Sequence, residues 1–113
     1  MQLAQKTYAL TNKFPRTEIF GLTSQIRRAA VSVPSNIAEG RGRLTDRSFA
    51  VFLGQARGSL YELQTQIELA CNLGFADPGE ASSLLAEAAQ IGAMIHSLLA
   101  SLRLNVPQET SRS

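Results

Sequence analysis

The feature that most constrains the fold of this chain is an apolar stripe at alternating spacings of four and three residues. The stripe consists of Phe49, Leu53, Ala56, Leu60, Leu63, Ile67 and Ala70. Residues at these spacings share one face of an α-helix, so the stripe predicts a helical face that is buried over about three heptads. Asp46 precedes the stripe as a suitable N-cap, and Gly74 follows it as a natural helix end. We therefore predict a helix from about Asp46 to Leu73.

Three other segments carry apolar residues at helical spacing. In the last segment these are Leu84, Ala88, Ile91, Ile95, Leu98 and Leu102. Asp77-Pro78 suits the start of this helix, because proline is tolerated at the first helical position, and the helix should end near Arg103. The two earlier segments contain Leu3, Thr7, Leu10 and Phe14, and then Leu22, Ile26, Ala29 and Val33.

Four amphipathic helices with short connections indicate an all-α fold. The arrangement that suits them is an antiparallel up-down-up-down four-helix bundle. No run of alternating polar and apolar residues predicts a strand. The bundle should form a single domain over residues 1–104, followed by a flexible C-terminal tail over residues 105–113.

A proline interrupts the helical spacing of the segment Arg27–Arg43, RRAAVSVPSNIAEGRGR. Proline inside a helix costs about 3 kcal/mol, so we predict that the second helix is kinked near Pro34. Asn36 could then accept from the amide of Glu39 while the Glu39 side chain returns to the amide of Asn36, a capping box that restarts the helix before the turn at Gly40. The alternative is that Asn36 and Glu39 form a polar site in the bundle or at a subunit junction. We favour capping, because it explains both side chains without a partner.

Two features predict homo-oligomerisation. Charged residues make up only 18% of the chain, against about 25% in typical globular domains, and none lies between Glu87 and Arg103. The last helix could therefore bury one face in the bundle and another against a second subunit, although a solvated face of Ala and Ser is the alternative. Ala50, Gly54 and Gly58 also recur every four residues, which suggests the close approach of another backbone.

Positive charge is concentrated in the first two-thirds of the chain. Residues 1–76 hold nine Lys/Arg and five Asp/Glu, whereas residues 77–113 hold two and four. The candidate nucleic-acid-binding residues are Lys13, Arg16, Arg27, Arg28, Arg41, Arg43, Arg47 and Arg57. An oligomer would repeat such a basic patch, and phosphate contacts would hold RNA or DNA without sequence specificity. The alternative is that these side chains cover a solvated face or pair with acidic neighbours.

Residue types and spacings that support catalysis or metal binding are missing. His96 is the only histidine, and Ala93 lies three residues before it, so a bundle metal site with Glu-x-x-His pairs is excluded. Glu62 and Glu68 are six residues apart on one helix and do not face each other. Gly40-Arg41-Gly42-Arg43 lacks the strand and spacing of a phosphate-binding glycine motif. We expect a protein that is not an enzyme and uses no cofactor.

Cysteine usage and the N-terminus bear on the cellular compartment. Cys71 is the only cysteine, which excludes a disulfide within the chain and fits a reducing cytoplasm. The N-terminus lacks the pattern of a signal peptide, and no uncharged apolar run reaches the roughly 18 residues of a membrane span. We expect a cytoplasmic protein without a membrane partner.

Two long blocks resemble a known family. Residues 20–43, FGLTSQIRRAAVSVPSNIAEGRGR, and 49–74, FAVFLGQARGSLYELQTQIELACNLG, are similar to the central blocks of the four-helix bundle family associated with intervening sequences in bacterial 23S ribosomal RNA genes. The resemblance implies a left-handed bundle that assembles into a homo-oligomer, with a pentamer favoured. It also implies kinship with the accessory variability proteins of diversity-generating retroelements, which are basic pentamers that work with nucleic acid and a reverse transcriptase.

Two functions are therefore expected from the sequence. The first is a non-enzymatic homo-oligomer that binds nucleic acid through symmetric basic patches. The alternative is a structural or interaction scaffold that docks a protein partner through the nearly uncharged fourth helix.

Overall fold

The computed structural model describes residues 2–105, and in this range the chain forms four α-helices and no strand. The helices are α1 (Gln2–Thr11), α2 (Leu22–Arg41), α3 (Asp46–Asn72) and α4 (Pro78–Asn105), with a short 3₁₀ helix at Arg16–Glu18 before α2. Each helix packs on its neighbours in the chain, and α1 also packs on α4. The predicted all-α fold with four helices is confirmed. Asn105 belongs to α4 rather than to the predicted tail, and residues 106–113 lie outside the described residues.

The apolar spacing explains the core. Every member of the predicted α3 stripe from Leu53 onward is buried, while Phe49 is half-buried. The other helices contribute fully buried side chains at the same spacings, including Leu3, Ile26, Val33, Leu84 and Ile95. Burying one such aliphatic side chain stabilises a fold by about 1.5–3 kcal/mol relative to exposing it. The bundle is therefore held together by the stripes that the sequence displays.

Side chains that precede the helices set where two of them begin. The Thr45 hydroxyl accepts from the Ser48 amide at 3.1 Å, so Thr45 is the N-cap of α3 and the prediction that Asp46 caps it is wrong. Thr45 has an extended backbone, which lets its side chain reach the third amide of the helix. Asp77 similarly accepts from the Glu80 amide at 2.9 Å, and α4 begins at Pro78 as predicted.

Gly74 ends α3 in the predicted way. Its φ of +80° lies in the left-handed region, where a side chain would be strained and glycine is not. The amide of Phe75 then donates to the Ala70 carbonyl at 2.9 Å, which satisfies one of the last carbonyl groups of the helix.

Helix α2 continues through Pro34 without interruption, so the predicted capping box is wrong. The Asn36 side-chain amide points back one turn and donates to the carbonyl oxygen and the hydroxyl of Ser32, both at 2.9 Å. The Glu39 carboxylate instead accepts from Arg43 at 2.9 Å, one turn ahead. Asn36 therefore finds its partner one turn back in the continuous helix, whereas the partner of Glu39 lies just after the end of α2. The kink near Pro34 stays a prediction.

Asn36 and its partner Ser32 form a polar contact between α2 and α3. The hydroxyls of Ser32 and Ser59 lie 2.8 Å apart, and the three side chains are partly buried. Asn36 thus takes part in a polar contact within the bundle, while a functional role for it stays a prediction. Glu39 is exposed and lies outside this contact, so a site at a subunit junction stays a prediction for it.

This polar contact gives a testable prediction. Asn36→Ala and Ser59→Ala should each lower the free energy of unfolding by about 1 kcal/mol, the usual net value of one hydrogen bond. Because both side chains bond the Ser32 hydroxyl, the double variant should deviate from additivity by about 0.5 kcal/mol or more. Urea denaturation of the four proteins measures this, with Ser35→Ala on the exposed side of α2 as the control. Strictly additive losses would argue against a shared hydroxyl.

Gly40 lies at a close approach of α2 to α3. A Cβ atom added at Gly40 would lie 2.8 Å from Cδ1 of Phe49 and 2.9 Å from Cβ of Phe52. Cβ atoms do not approach other carbon atoms so closely, so this position requires glycine for space rather than for backbone freedom. Arg41, the last residue of α2, and Arg43 in the following connection come just after this close approach in the chain.

Candidate nucleic-acid interface

The structure divides the eight predicted cationic residues into separate groups. Lys13, Arg16, Arg27 and Arg28 lie in α2 or in the connection that precedes it, whereas Arg41, Arg43 and Arg47 surround the connection between α2 and α3. Arg57 lies apart from both groups, within α3. Arg28 and Arg41 are thirteen positions apart in one helix, which corresponds to about 20 Å along its axis. The predicted residues therefore do not form one continuous patch on a single chain.

Lys13 and Arg43 are paired with acids, in line with the alternative interpretation. The Lys13 ammonium bonds both carboxylate oxygens of Glu80, at 2.9 and 3.0 Å, and this hydrogen bond and the charge of Glu80 raise the pKa of Lys13. The contribution of this pair is present below the ordinary lysine pKa and is lost only as the pH rises through the raised value. The Arg43 guanidinium bonds Glu39 at 2.9 Å and lies 4.7 Å over the Phe52 ring.

Four of the remaining arginine side chains have no hydrogen-bond or ion-pair partner among residues 2–105. These are Arg16, Arg28, Arg41 and Arg57. The first three are exposed, and Arg57 is half-buried. Their charges remain available for an external anion. Arg47 is exposed in the first turn of α3, but it does make a contact.

Arg27 is held in a defined position by neutral groups of α1. Its Nε donates to the Thr11 hydroxyl at 2.9 Å and its Nη2 donates to Asn12 Oδ1 at 2.9 Å. The guanidinium lies 4.6 Å from the centre of the Tyr8 ring. Thr11 ends α1, so this cation also lies near the negative end of the helix dipole. Arg27 is therefore held in position by neutral groups, and its charge is not paired with a carboxylate.

A cleft between α1 and α2 adjoins Arg27 and Arg28. It has a volume of about 380 Å³ and is lined by Tyr8, Ile19, Ser24, Arg27, Arg28 and Val31. No carboxylate is among the lining residues. We call it the α1–α2 cleft. Tyr8, Ile19 and Val31 were not predicted as site residues, because an exposed apolar residue cannot be told from a buried one without the neighbouring helix.

A second, more polar groove lies between α2 and α3 on the other side of Arg28. It has a volume of about 470 Å³, and its walls include Arg28, Ser32, Ser59 and Glu62. The side-chain oxygen of Gln66 is buried in its lining without a hydrogen-bond partner among the described residues. This α2–α3 groove carries both signs of charge and therefore selects for an anion less clearly than the α1–α2 cleft.

The outer face of α4 is exposed and uncharged. Its exposed residues between Ala88 and Leu102 are Ala89, Gln90, Ala93, Met94, His96, Ser97, Ala100 and Ser101. By length and composition alone α4 could cross a membrane over 78–102, which is weak evidence, because core helices of soluble proteins pass the same test. No group of three potential metal ligands occurs within the part of the chain that the structure describes.

Ala50 packs against the core, whereas the other two members of the small-residue row of α3, Gly54 and Gly58, face open space among the described residues. A Cβ added at Gly54 or Gly58 would have no atom within 4 Å outside its own helix. The steric need that the row suggested is therefore not met at Gly54 and Gly58 by the part of the chain that the structure describes.

Comparison with known proteins identifies the family. A family model described as 23S rRNA-intervening sequence protein matches residues 1–97. The fold is similar to a crystal structure of a protein with unknown function from the S23 ribosomal protein family of Bacteroides thetaiotaomicron VPI-5482, with a TM-score of 0.69 and 17% identity over 86% of this chain and 97% of that one. No curated protein matches the chain. The family model and the shared four-helix fold confirm the resemblance noted in the two central blocks, and the chain belongs to the 23S rRNA-intervening sequence protein family.

Proposed function

We propose that this protein is a non-enzymatic homo-oligomer, with a pentamer favoured, that binds RNA or DNA through repeated basic patches without sequence specificity. The observation that carries the proposal is that five arginine charges have no carboxylate partner among residues 2–105. These are Arg16, Arg27, Arg28, Arg41 and Arg57. Uncompensated cations on a surface attract phosphate groups and release counterions when they bind them.

Assembly would combine groups of cations that are weak when they act alone. One chain presents two small groups about 20 Å apart along α2, and each contacts few phosphates. Linked copies convert later binding events into intramolecular ones, which raises the overall affinity by orders of magnitude without any new contact. Affinity that comes from phosphate contacts carries no sequence information.

The exposed faces of α3 and α4 support the proposed homo-oligomer. Between Ala88 and Leu102 the outer face of α4 lacks charge, and the cores of protein interfaces are depleted of charged residues. Gly54 and Gly58 each cost a helix about 1 kcal/mol relative to alanine, and a closely packed second copy would explain them. The uncharged face of α4 would also suit the alternative function, a scaffold for a protein partner.

We also infer the antiparallel up-down-up-down order of the helices and a cytoplasmic location. Lys6 of α1 contacts Glu87 of α4, and Lys13 in the connection after α1 contacts Glu80 of α4. The residue numbers therefore increase along the first segment while they decrease along α4, as in an antiparallel pair. The left-handed twist stays a prediction.

The cytoplasmic location is supported by the free, half-buried Cys71.

The test is light scattering after size exclusion, with and without a mixed-sequence RNA or duplex DNA, at low and at physiological salt. We expect an oligomer that takes up nucleic acid at low salt and releases it as salt rises. The double variant Arg28→Met/Arg41→Met should weaken binding by about tenfold or more. Each lost cation–phosphate pair should also reduce the slope of log affinity against log salt concentration by about 0.7–0.9. The matched control Lys13→Met/Arg43→Met also removes two positive charges. Because these two side chains are already paired with carboxylates, the control should weaken binding less.

Equal weakening by the two double variants would contradict the assignment of the unpaired arginines. An oligomer that takes up no nucleic acid at low salt would contradict the proposed function and favour the protein scaffold. Ala93→Arg on α4 should dissociate the oligomer, whereas Gln5→Arg on the exposed side of α1 should leave it intact. A wild-type protein that is monomeric at all concentrations would contradict the proposed assembly.

A further inference from the structure

We propose that the α1–α2 cleft is a subsite for one nucleotide of a single strand, with the base against Tyr8 and the phosphate on Arg28. This inference rests on the proposed nucleic-acid function and deepens it. It assigns a preference for single strands over duplexes and a place where a base is held.

The composition of the cleft selects for an anion with a flat apolar part. Its walls hold two arginines, an aromatic ring, two aliphatic side chains and a hydroxyl, without a carboxylate. Its volume of about 380 Å³ lies in the range of small-molecule sites. A nucleotide combines a planar base with a phosphate, so both parts of the lining would be used. The α2–α3 groove fits less well, since Glu62 would repel the phosphate.

The free protein already holds Arg27 in place. Two of its five N–H groups are bonded to Thr11 and Asn12, which leaves three donors for a ligand. Thr11 is itself buried, and its hydroxyl bonds the Thr7 carbonyl at 2.9 Å, so the anchor of Arg27 belongs to the core of α1. A side chain that is ordered before binding loses little conformational entropy on binding. The cleft is therefore prepared for a ligand on its Arg27 side.

Arg28 supplies the charge that is free to move. It follows Arg27 directly, lines the same cleft, is exposed and has no partner among the described residues. A phosphate bound to Arg28 would leave its attached base within reach of Tyr8, Ile19 and Val31, each of which is exposed in the free protein. Phe20, next to Ile19 in the chain, is 95% exposed and offers a second ring for a neighbouring base.

A single strand suits this geometry better than a duplex. In a duplex the bases stack on each other and turn inward, so their faces cannot reach an aromatic side chain. In a single strand each base can stack on a ring or on an arginine plane, and such contacts tolerate any base. The site would therefore add affinity for single strands without adding sequence specificity.

The experiment compares the binding of a fluorescent ten-nucleotide oligo(U) with that of a duplex of the same length, by anisotropy at fixed low salt. We expect Tyr8→Leu to weaken oligo(U) binding at least about fivefold, the loss of one stacked base, and to change duplex binding less than about twofold. Tyr8→Phe keeps the ring and should retain binding. Tyr61→Leu makes the same change on α3, where Tyr61 is 58% exposed, and should have no effect. Circular dichroism checks that each variant is folded.

Crosslinking locates the base directly. An oligonucleotide with 5-iodouridine should crosslink to Tyr8 on irradiation, and mass spectrometry of the digest identifies the modified peptide. Binding of nucleic acid with equal effects of Tyr8→Leu and Tyr61→Leu, or with crosslinks only at other residues, would overturn this subsite while leaving the proposed function standing. No binding of either nucleic acid would overturn both. Binding of poly(glutamate) as tightly as oligo(U), with Tyr8→Leu weakening neither, would overturn the nucleotide subsite in favour of binding by surface charge alone.

Discussion

Replacing Gly40 with alanine is expected to lower the free energy of unfolding by about 1–3 kcal/mol, although alanine favours helices over glycine by about 1 kcal/mol. The new methyl group would lie 2.9 Å from Cβ of Phe52, an atom fixed to the α3 backbone, and 2.8 Å from the ring of Phe49. The two helices must separate to make room, because the Phe52 Cβ cannot rotate away. Urea denaturation at constant slope measures the change.

Gly58→Ala is the matched control for this prediction. It makes the same substitution inside α3, where no atom outside the helix lies within 4 Å of the added Cβ. At concentrations where the chain is monomeric, Gly58→Ala should raise the free energy of unfolding by up to about 1 kcal/mol. The two substitutions thus have opposite expected signs. Stabilisation by Gly40→Ala would contradict the close approach of α2 and α3.

Leu60→Ala is expected to lower the free energy of unfolding by about 2–5 kcal/mol, the largest effect of a single truncation that we predict. Leu60 is 1% exposed, and it lies at the centre of the α3 stripe. Its Cδ2 reaches α4, where it lies 3.4 Å from the position that a Cβ at Gly92 would take. Truncation removes the packing of Leu60 against α4 and leaves a cavity that the rigid neighbouring side chains fill only in part.

Leu69→Ala on the same helix is the control for Leu60→Ala. Leu69 is 46% exposed, so its truncation should cost less than about 1 kcal/mol. The comparison uses one residue type in one helix and differs only in burial. Equal losses for Leu60→Ala and Leu69→Ala would mean that the α3 stripe does not form the core.

The position of Gly40 also connects stability with the candidate interface. Arg41 follows it directly and Arg43 lies three positions after it, where Arg43 is held by Glu39 and Phe52. A change in the spacing of α2 and α3 would therefore move the second group of cations as well as loosen the core. Variants at Gly40 are for this reason unsuitable for testing charge, whereas Arg28 and Arg41 are exposed and can be replaced without disturbing packing.

Local patterns in the sequence were enough to specify the four helices, the end of α3, the start of α4 and the family. The stripe from Leu53 to Ala70, the stop at Gly74 and the entry at Pro78 depend on residues a few positions apart, and all are confirmed. Helical periodicity and capping are local properties, so one sequence is enough to recognise them. The two central blocks were also sufficient to identify the family.

The partners that the candidate residues contact, in contrast, depend on how the helices pack together. Lys13 is paired because Glu80, 67 positions away, lies beside it, and Arg27 is anchored because α1 ends there. Asn36 turns toward Ser32 rather than capping a new helix, because α2 continues through Pro34. Ion pairs, clefts and close approaches depend on distances between segments that are remote in the chain, and periodicity within one segment does not determine those distances.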